Sequence, residues 1–331
     1  MAGKLNSRKT GWTVGLIFLA FFVTYPFLVD AERSYLVYFL YTTFIYVALA
    51  QGWNLAAGYT GQVSLGQHAF FGIGCYVTAI LWRLKVIGYL DPTGMILSGV
   101  GAAFVAVAVG LFLLSKLRGD YFALGTLGLG EILRVIALNA RGITLGSSGI
   151  NIPSSAYLSM TYYYFIALAI AFVTLAVLLL MTRSSVGLAL VAIRENEVAA
   201  AANGVAVLKY KVIAFAAGAF VTGLCGSLYA FYTFHIDIAA AFSLNWVMVP
   251  ILATILGGAG TFLGPILGAF IISGIFEFAN ALVPELHPIV SAAFVVLVTL
   301  FMPDGLIRYM SGYRESIVKK LPIFQWIAKE T

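Results

Sequence analysis

Glu131 and Arg134 stand three residues apart in GLGEILRVIA, inside an apolar run. On a helix, residues i and i+3 share a face, so the two can pair or act together. A charge within a membrane is costly unless it meets a partner, and such residues mark ion or proton routes as often as structural pairs. A proton relay and a buried or snorkelling structural pair are therefore both open. His68 lies in SLGQHAFFG with no second histidine nearby, which argues against a metal site. It reads either as a donor facing a ligand or as a core histidine bonded to a nearby carbonyl. A third polar group is the run from Arg183 to Lys211. It holds Arg183, Arg194, Lys209 and Lys211 against Glu195 and Glu197. Two carboxylates occur there without any pocket signature. No GxxxxGK[ST] phosphate loop, GxSxG elbow, HExxH pair or dinucleotide fingerprint occurs, so covalent chemistry, metal and cofactor are not expected.

The elements that must position these residues are membrane spans. Of 331 residues, 62% are hydrophobic and 10% charged, whereas a soluble domain carries about 25% charged residues. The apolar runs are long and do not alternate, which excludes a β-barrel. The fold class is all-α: a polytopic membrane protein of about ten transmembrane helices, some broken or re-entrant. The expected spans are 11–29, 34–54, 68–84, 94–115, 119–138, 161–181, 212–232, 244–258, 262–282 and 288–303. The eighth and tenth are short. Residues 1–10 form a cytoplasmic tail, 11–303 the transmembrane domain, and 304–331 a basic amphipathic cytoplasmic tail. The run from Trp12 to Val29 reads as a retained first span. Cys75 and Cys225 read as small buried side chains, not a disulfide.

With both termini cytoplasmic, fourteen of the 19 basic residues fall inside, only Arg33, Arg83, Lys85 and Arg141 fall outside, and Arg134 lies within a span. The bias puts 183–211 in the cytoplasm. The net charge of +6 then reflects orientation in an anionic membrane, not nucleic-acid binding. Within 183–211, Val186, Leu190, Ile193, Val198 and Ala201 recur at helical spacing, and Gly204 reads as a helix end. Such an amphipathic helix either contacts something outside the membrane or merely connects spans.

Residues 51–74 crowd Gly52, Gly58, Gly61, Gly66, Gly72 and Gly74 among Gln51, Asn54, Gln62, Ser64, Gln67 and His68. Unpaired backbone in lipid is costly, so irregular chain here must be buried in protein or line a cavity. Interrupted helices of this kind point to substrate sites in transporters; a packed turn with satisfied polar groups is the other reading. Gly257, Gly258 and Gly260 repeat the theme before Gly264-Pro265. Residues 139–160 form a turn-rich external loop, with His235 and Asp237 also at the outer surface, and Glu277 is an acid inside a span.

Several short motifs now fall in one order. They are Trp53-Asn54-Leu55 and Gly58-Tyr59-Thr60-Gly61-Gln62-Val63-Ser64-Leu65-Gly66-Gln67, then Arg118-Gly119-Asp120-Tyr121, Thr126-Leu127-Gly128 and Glu131. Next come Gly187, Ala192-Ile193-Arg194-Glu195-Asn196-Glu197 and Gly204. Gly257-Gly258-Ala259-Gly260-Thr261-Phe262-Leu263-Gly264-Pro265 and Phe301-Met302-Pro303-Asp304-Gly305 complete the series. From about residue 35 to 308 the chain resembles the LivM-type permease subunits of the branched-chain amino acid ABC importer family. That resemblance implies a homologous LivH-type permease partner, two cytoplasmic ABC ATPase subunits and an external or periplasmic solute-binding protein. It implies the cell inner membrane, alternating access and no catalytic site in this chain. It also implies a coupling helix over about Gly187 to Gly204, carrying Ala192, with Arg194, Glu195 and Glu197 as its most exposed charges. Branched-chain or other hydrophobic amino acids are the expected substrate, with urea or a short amide as the alternative. A cation-driven transporter using Glu131 and Glu277 and a purely structural membrane protein are further alternatives. The candidate translocation path comprises Gly58, Gly61, Gln62, Ser64, Gln67, His68, Glu131, Gly257 and Gly258.

Overall fold

The computed structural model describes residues 20–153, 157–282, 293 and 305–307. The N-terminal tail, residues 11–19 of the first expected span, the tenth span apart from residue 293 and the C-terminal tail apart from residues 305–307 lie outside the described residues. Residues 20–28 are helical. Then come α1 (Tyr35–Thr60), α2 (Gln67–Arg83), α3 (Pro92–Lys116), α4 (Asp120–Asn139) and the single turn α5 (Arg141–Thr144). After a 3-10 turn follow β1 (Ile150–Asn151), α6 (Met160–Thr182), α7 (Ser185–Glu195), α8 (Glu197–Ala202) and α9 (Val207–Thr233). The last described elements are β2 (His235–Ile236), α10 (Ile238–Ala241), α11 (Asn245–Gly257) and α12 (Gly264–Leu282).

Among the described residues, six helical segments are long and apolar enough to cross a membrane: α1, α3, α4, α6, α9 and the α10–α11 stretch Ile238–Gly257. The chain is an all-α, multi-pass membrane protein. The expected spans 68–84 and 262–282 correspond to α2 and α12, which are shorter.

Local sequence sets many of these boundaries. Asp91 accepts from Thr93 N–H and Pro92 opens α3, so two N-terminal signals coincide. Ser184 caps α7 through Val186 N–H, and Asn196 caps α8 through Ala199 N–H. Asn196 is therefore a joint, and the expected single amphipathic helix is two short ones. At the end of α1, Gly61 adopts φ 73°, and the Gly61 and Gln62 amides turn back to Ala57 O and Ala56 O. This is a Schellman-type stop.

α1 and α9 run through the centre. Gly52 on α1 faces Gly218 on α9, and on α9 Gly223 faces Gly99 of α3 and Gly226 faces the Phe71 carbonyl of α2. Missing side chains let backbones approach closely, which is how membrane helices gain contact where lipid removes the hydrophobic drive. Cys75 and Cys225 are both buried and free in this packing. By contrast, α3, α4 and α6 expose large apolar side chains such as Phe104, Leu124 and Leu180.

The loops sort to two ends. At one end Glu32 accepts from Met160 N–H and Tyr157 Oη, Arg83 donates to Ile143 O, and β1 pairs antiparallel with β2. At the other end the chain between α1 and α2 meets α7, the start of α9 and the α11–α12 turn. The first end gathers the segments that the basic-residue count assigns outside, and the second gathers those it assigns inside.

Candidate functional site

The break after α1 is shorter than its glycine content predicts. α1 continues through Gly52 and Gly58 to Thr60, and only residues 61–66 leave helical conformation. Gly52 and Gly58 lie within the helix, where neighbouring backbone occupies the space a side chain would need: Gly218 O against Gly52, Gly260 N against Gly58. The 61–66 segment then folds back into the bundle. Trp53 Nε1 donates to Ser64 O at 2.8 Å, although Trp53 lies two turns before the end of α1, about 10 Å along the axis. Leu65 N–H donates to Thr126 Oγ1 of α4 at 3.0 Å. Ser64 and Gly66 are thus buried, with the Ser64 carbonyl and the Leu65 amide engaged as a lipid setting demands, while Gly61 and Val63 are exposed.

A second irregular turn, between α11 and α12, docks on the same part of α1. Asn54 Oδ1 accepts from Gly260 N–H at 2.8 Å and Asn54 Nδ2 donates to Thr261 O at 3.0 Å. Gln51 Nε2 donates to Phe262 O at 2.6 Å. Gly257 packs against the Gly264 backbone, so the turn closes on itself. Gly258, at φ 118°, is the C-cap of α11.

Arg194 joins both turns to the polar stretch. Its Nη1 donates to Gly58 O at 2.8 Å across 136 residues. The guanidinium also occupies the space a side chain at Gly260 would take, and its stem lies against Gly61. Arg194 is half-buried, which corrects the expectation that it is among the most exposed charges; the carbonyl of Gly58 draws it inward. Glu197 is corrected likewise. Its carboxylate accepts from Lys211 Nζ at 2.6 Å, and the Lys211 side chain is 1% exposed. Only Glu195 of the three faces outward, next to the exposed Ala192 and Val191. Gly187 is buried against the Thr182 backbone, and Gly204, at φ 82°, makes the turn into α9. The pair α7–α8 therefore presents Glu195 outward and fastens Arg194 and Glu197 inward.

The remaining candidates gather beside α2 and α4. Gln67 Nε2 donates to Leu49 O and to Thr222 Oγ1, while its Oε1 has no partner. Gln67 lines, with Gly52, Trp53, Ser64, Phe215 and Gly218, a cavity of about 20 Å³. That is room for a water, not for an amino acid. His68 is buried and bonds the Leu65 carbonyl through Nδ1 at 3.1 Å, leaving Nε2 unpartnered against Gly130 of α4. Gln62 is half-buried, and its Oε1 also lacks a partner. Glu131 and Arg134 pair with each other on α4 at 2.8 Å, with side chains 44% and 43% exposed. Glu277 accepts from Tyr35 Oη, away from this group. Among the described residues no group of three or more metal-ligating side chains occurs.

The sequence profile described as "Branched-chain amino acid transport system / permease component" matches residues 35–299, the stretch that carries both turns, the α7–α8 pair and α4. The chain belongs to this permease family. One relative is the "High-affinity branched-chain amino acid transport system permease protein LivM" of Escherichia coli (strain K12). It is 29% identical over 323 residues, covering 89% of this chain and 74% of the relative. The protein of the same name from Salmonella typhimurium (strain LT2) is 28% identical over 294 residues, covering 80% and 68%. No solved structure matches significantly. The permease chain is thus of LivM type, one membrane component of an ABC importer.

Sequence reasoning missed two features of this site. Lys211 falls inside α9, although it reads as part of a polar loop, and its pairing with Glu197 across the 203–206 turn has no local signal. The docking of Asn54 and Gln51 on the α11–α12 turn likewise links residues more than 200 positions apart.

Proposed function

We propose that this permease imports branched-chain amino acids by alternating access, driven by two cytoplasmic ABC ATPases and supplied by an external solute-binding protein. It pairs with a homologous LivH-type permease in the cell inner membrane, with both of its termini in the cytoplasm. The chain itself makes no covalent bond. Its part is to convert movement of the α7–α8 pair into a shift of the helices around the passage, as packed helices rock about a fixed site.

One observation carries this reading: the Arg194 hydrogen bond to Gly58 O. It ties a half-exposed amphipathic helix to the last turn of the central helix α1 and to the glycine turn before α12. A push on α7 therefore reaches the break at 61–66 through a single charge-assisted contact. Glu195, facing outward, is the contact for the ATPase. The passage follows Ser64, Gln67, His68 and Glu131, with Gly58, Gly61, Gln62, Gly257 and Gly258 forming the joint that moves.

The test is ATP-driven leucine uptake by the assembled importer in proteoliposomes, with ATPase co-purification as the second readout. Arg194→Ala should cut uptake at least tenfold while the ATPases still co-purify. Glu195→Arg should lose the ATPases. Wild-type uptake and full association in both variants would refute the coupling role. Uptake of urea but not leucine by the unaltered importer would move the chain to the other substrate class.

A further inference from the structure

We propose that Glu131 and Arg134 of α4 form a binding site for the two charged groups of an α-amino acid zwitterion, the carboxylate on Arg134 and the ammonium on Glu131. The proposal rests on the import reading above and adds to it the two side chains that hold the charged ends of the substrate.

The pair is left half-finished. Arg134 Nε and Nη2 both lie 2.8 Å from Glu131 Oε2. Among the described residues, Glu131 Oε1 and Arg134 Nη1 meet no partner. Both side chains are close to half exposed. They sit in the middle of α4, a helix long and apolar enough to span, about 16 Å along its axis from Asp120. Hydrocarbon offers neither a donor for Oε1 nor an acceptor for Nη1, so this face cannot rest against lipid without a large cost. Something polar must reach it.

A zwitterion fits because it carries both complements on one carbon. A guanidinium edge takes a carboxylate with two parallel hydrogen bonds, and Oε1 takes an ammonium. The neighbours one turn away on the same side, Leu127, Val135 and Leu138, offer apolar surface for an aliphatic side chain. Behind the pair, the buried His68 ring abuts Gly130 with Nε2 unpartnered. His68, bonded to Leu65 O of the 61–66 break, thus packs on α4 one residue before Glu131. A neutral solute such as urea would have no use for separated full charges at this place.

The experiment uses the complete importer in proteoliposomes. The swap Glu131→Arg with Arg134→Glu keeps an ion pair but exchanges the two ends. Leucine uptake should fall at least tenfold in importer that still co-purifies with its ATPases. Uptake at the wild-type rate would show that the pair only holds structure, for instance against the second permease, and would overturn the proposal. Should the swap not assemble, the unaltered importer is photolysed during turnover with a diazirine-bearing leucine. Label within residues 127–138 supports the site, and its absence there overturns it. Absence of leucine uptake by the unaltered importer would instead sink the import reading, which separates the two failures.

Discussion

α1 and α4 are both long enough to cross a membrane and both carry polar residues away from their ends, yet they treat them in opposite ways. In α1, Gln51 and Asn54 are buried, and each of their amide groups has a partner. In α4, Glu131 and Arg134 stay half exposed and half satisfied. The share of the spanning window buried within the chain is 72% for α1 and 28% for α4. Depth of burial explains the difference. A polar group deep in the bundle is an expense unless bonded, so the α11–α12 turn is built to meet it. A polar group on the rim is left for whatever covers the rim. The centre is therefore a fastening, and the rim of α4 is the surface left open to something else.

The sharpest way to break this contrast is to put the same side chain in both places. In Gly226→Leu, the new Cβ meets the Phe71 carbonyl and lies 3.1 Å from Cys75 N. Both neighbours are backbone and cannot rotate away, so α9 must leave α2. Overpacking of this kind costs about 1–3 kcal/mol or more, and folded protein should be lost from the membrane. In Gly128→Leu on α4, nothing stands within 4 Å of the Cβ position, and stability should stay within about 0.5 kcal/mol. Expression and thermal melting in detergent check both. Equal losses would mean that α4 is as tightly enclosed as the centre.

A second pair of changes compares the two ion pairs. Glu197→Ala strands the buried Lys211 ammonium, and removing one partner of a buried pair costs about 3–5 kcal/mol; because Glu197 is 29% exposed, the lower end is expected. Replacing both, with Lys211→Met and Glu197→Leu, should come back near neutral, since no charge is then left unpaired. Glu131→Gln on α4 should cost less than Glu197→Ala, because the Arg134 it leaves behind is half exposed and only half satisfied by the pair. Melting of the three variants decides it. A loss at Glu131 as large as at Glu197 would place the α4 pair in the core after all.

Much of this fold was legible, and the reasons are specific. The expected spans 94–115, 119–138 and 161–181 fall within two residues of α3, α4 and α6, because those helices end in strong signals: Asp91-Pro92, Gly119-Asp120 and the Ser159 and Ser184 caps. The end of α1 was misplaced at 54 because interior glycines read as breaks. Gly52 and Gly58 are instead contact points, and only the partner backbone at Gly218 and Gly260 reveals that. The inward turn of Arg194 was hidden for the same reason, since its acceptor is a carbonyl on another helix. The β1–β2 ladder has two residues per strand, too few to register as a pattern.

The smallest expected effect lies at the end opposite the joint, at Glu32. Partial burial raises the pKa of this carboxyl, but hydrogen bonds from Met160 N–H, the Tyr157 hydroxyl and Ser159 outweigh it and hold it below its ordinary value of 4.5. A carboxylate depressed in the folded state contributes stability that is present above its unfolded pKa. That contribution disappears as pH falls through the lower, folded pKa. Glu32 thus pins the loop before α1 to the start of α6 at neutral pH and releases it in acid. Because the site is exposed, the contribution is less than about 1 kcal/mol. Melting the purified permease between pH 7 and pH 3 should show an acid loss that Glu32→Gln removes in part. The variant should be slightly less stable than the native chain at pH 7, and the gap should narrow toward pH 3. A constant gap across that range would mean that Glu32 acts only by packing. That end would then be fastened as pH-independently as Gln51 and Asn54 fasten the centre.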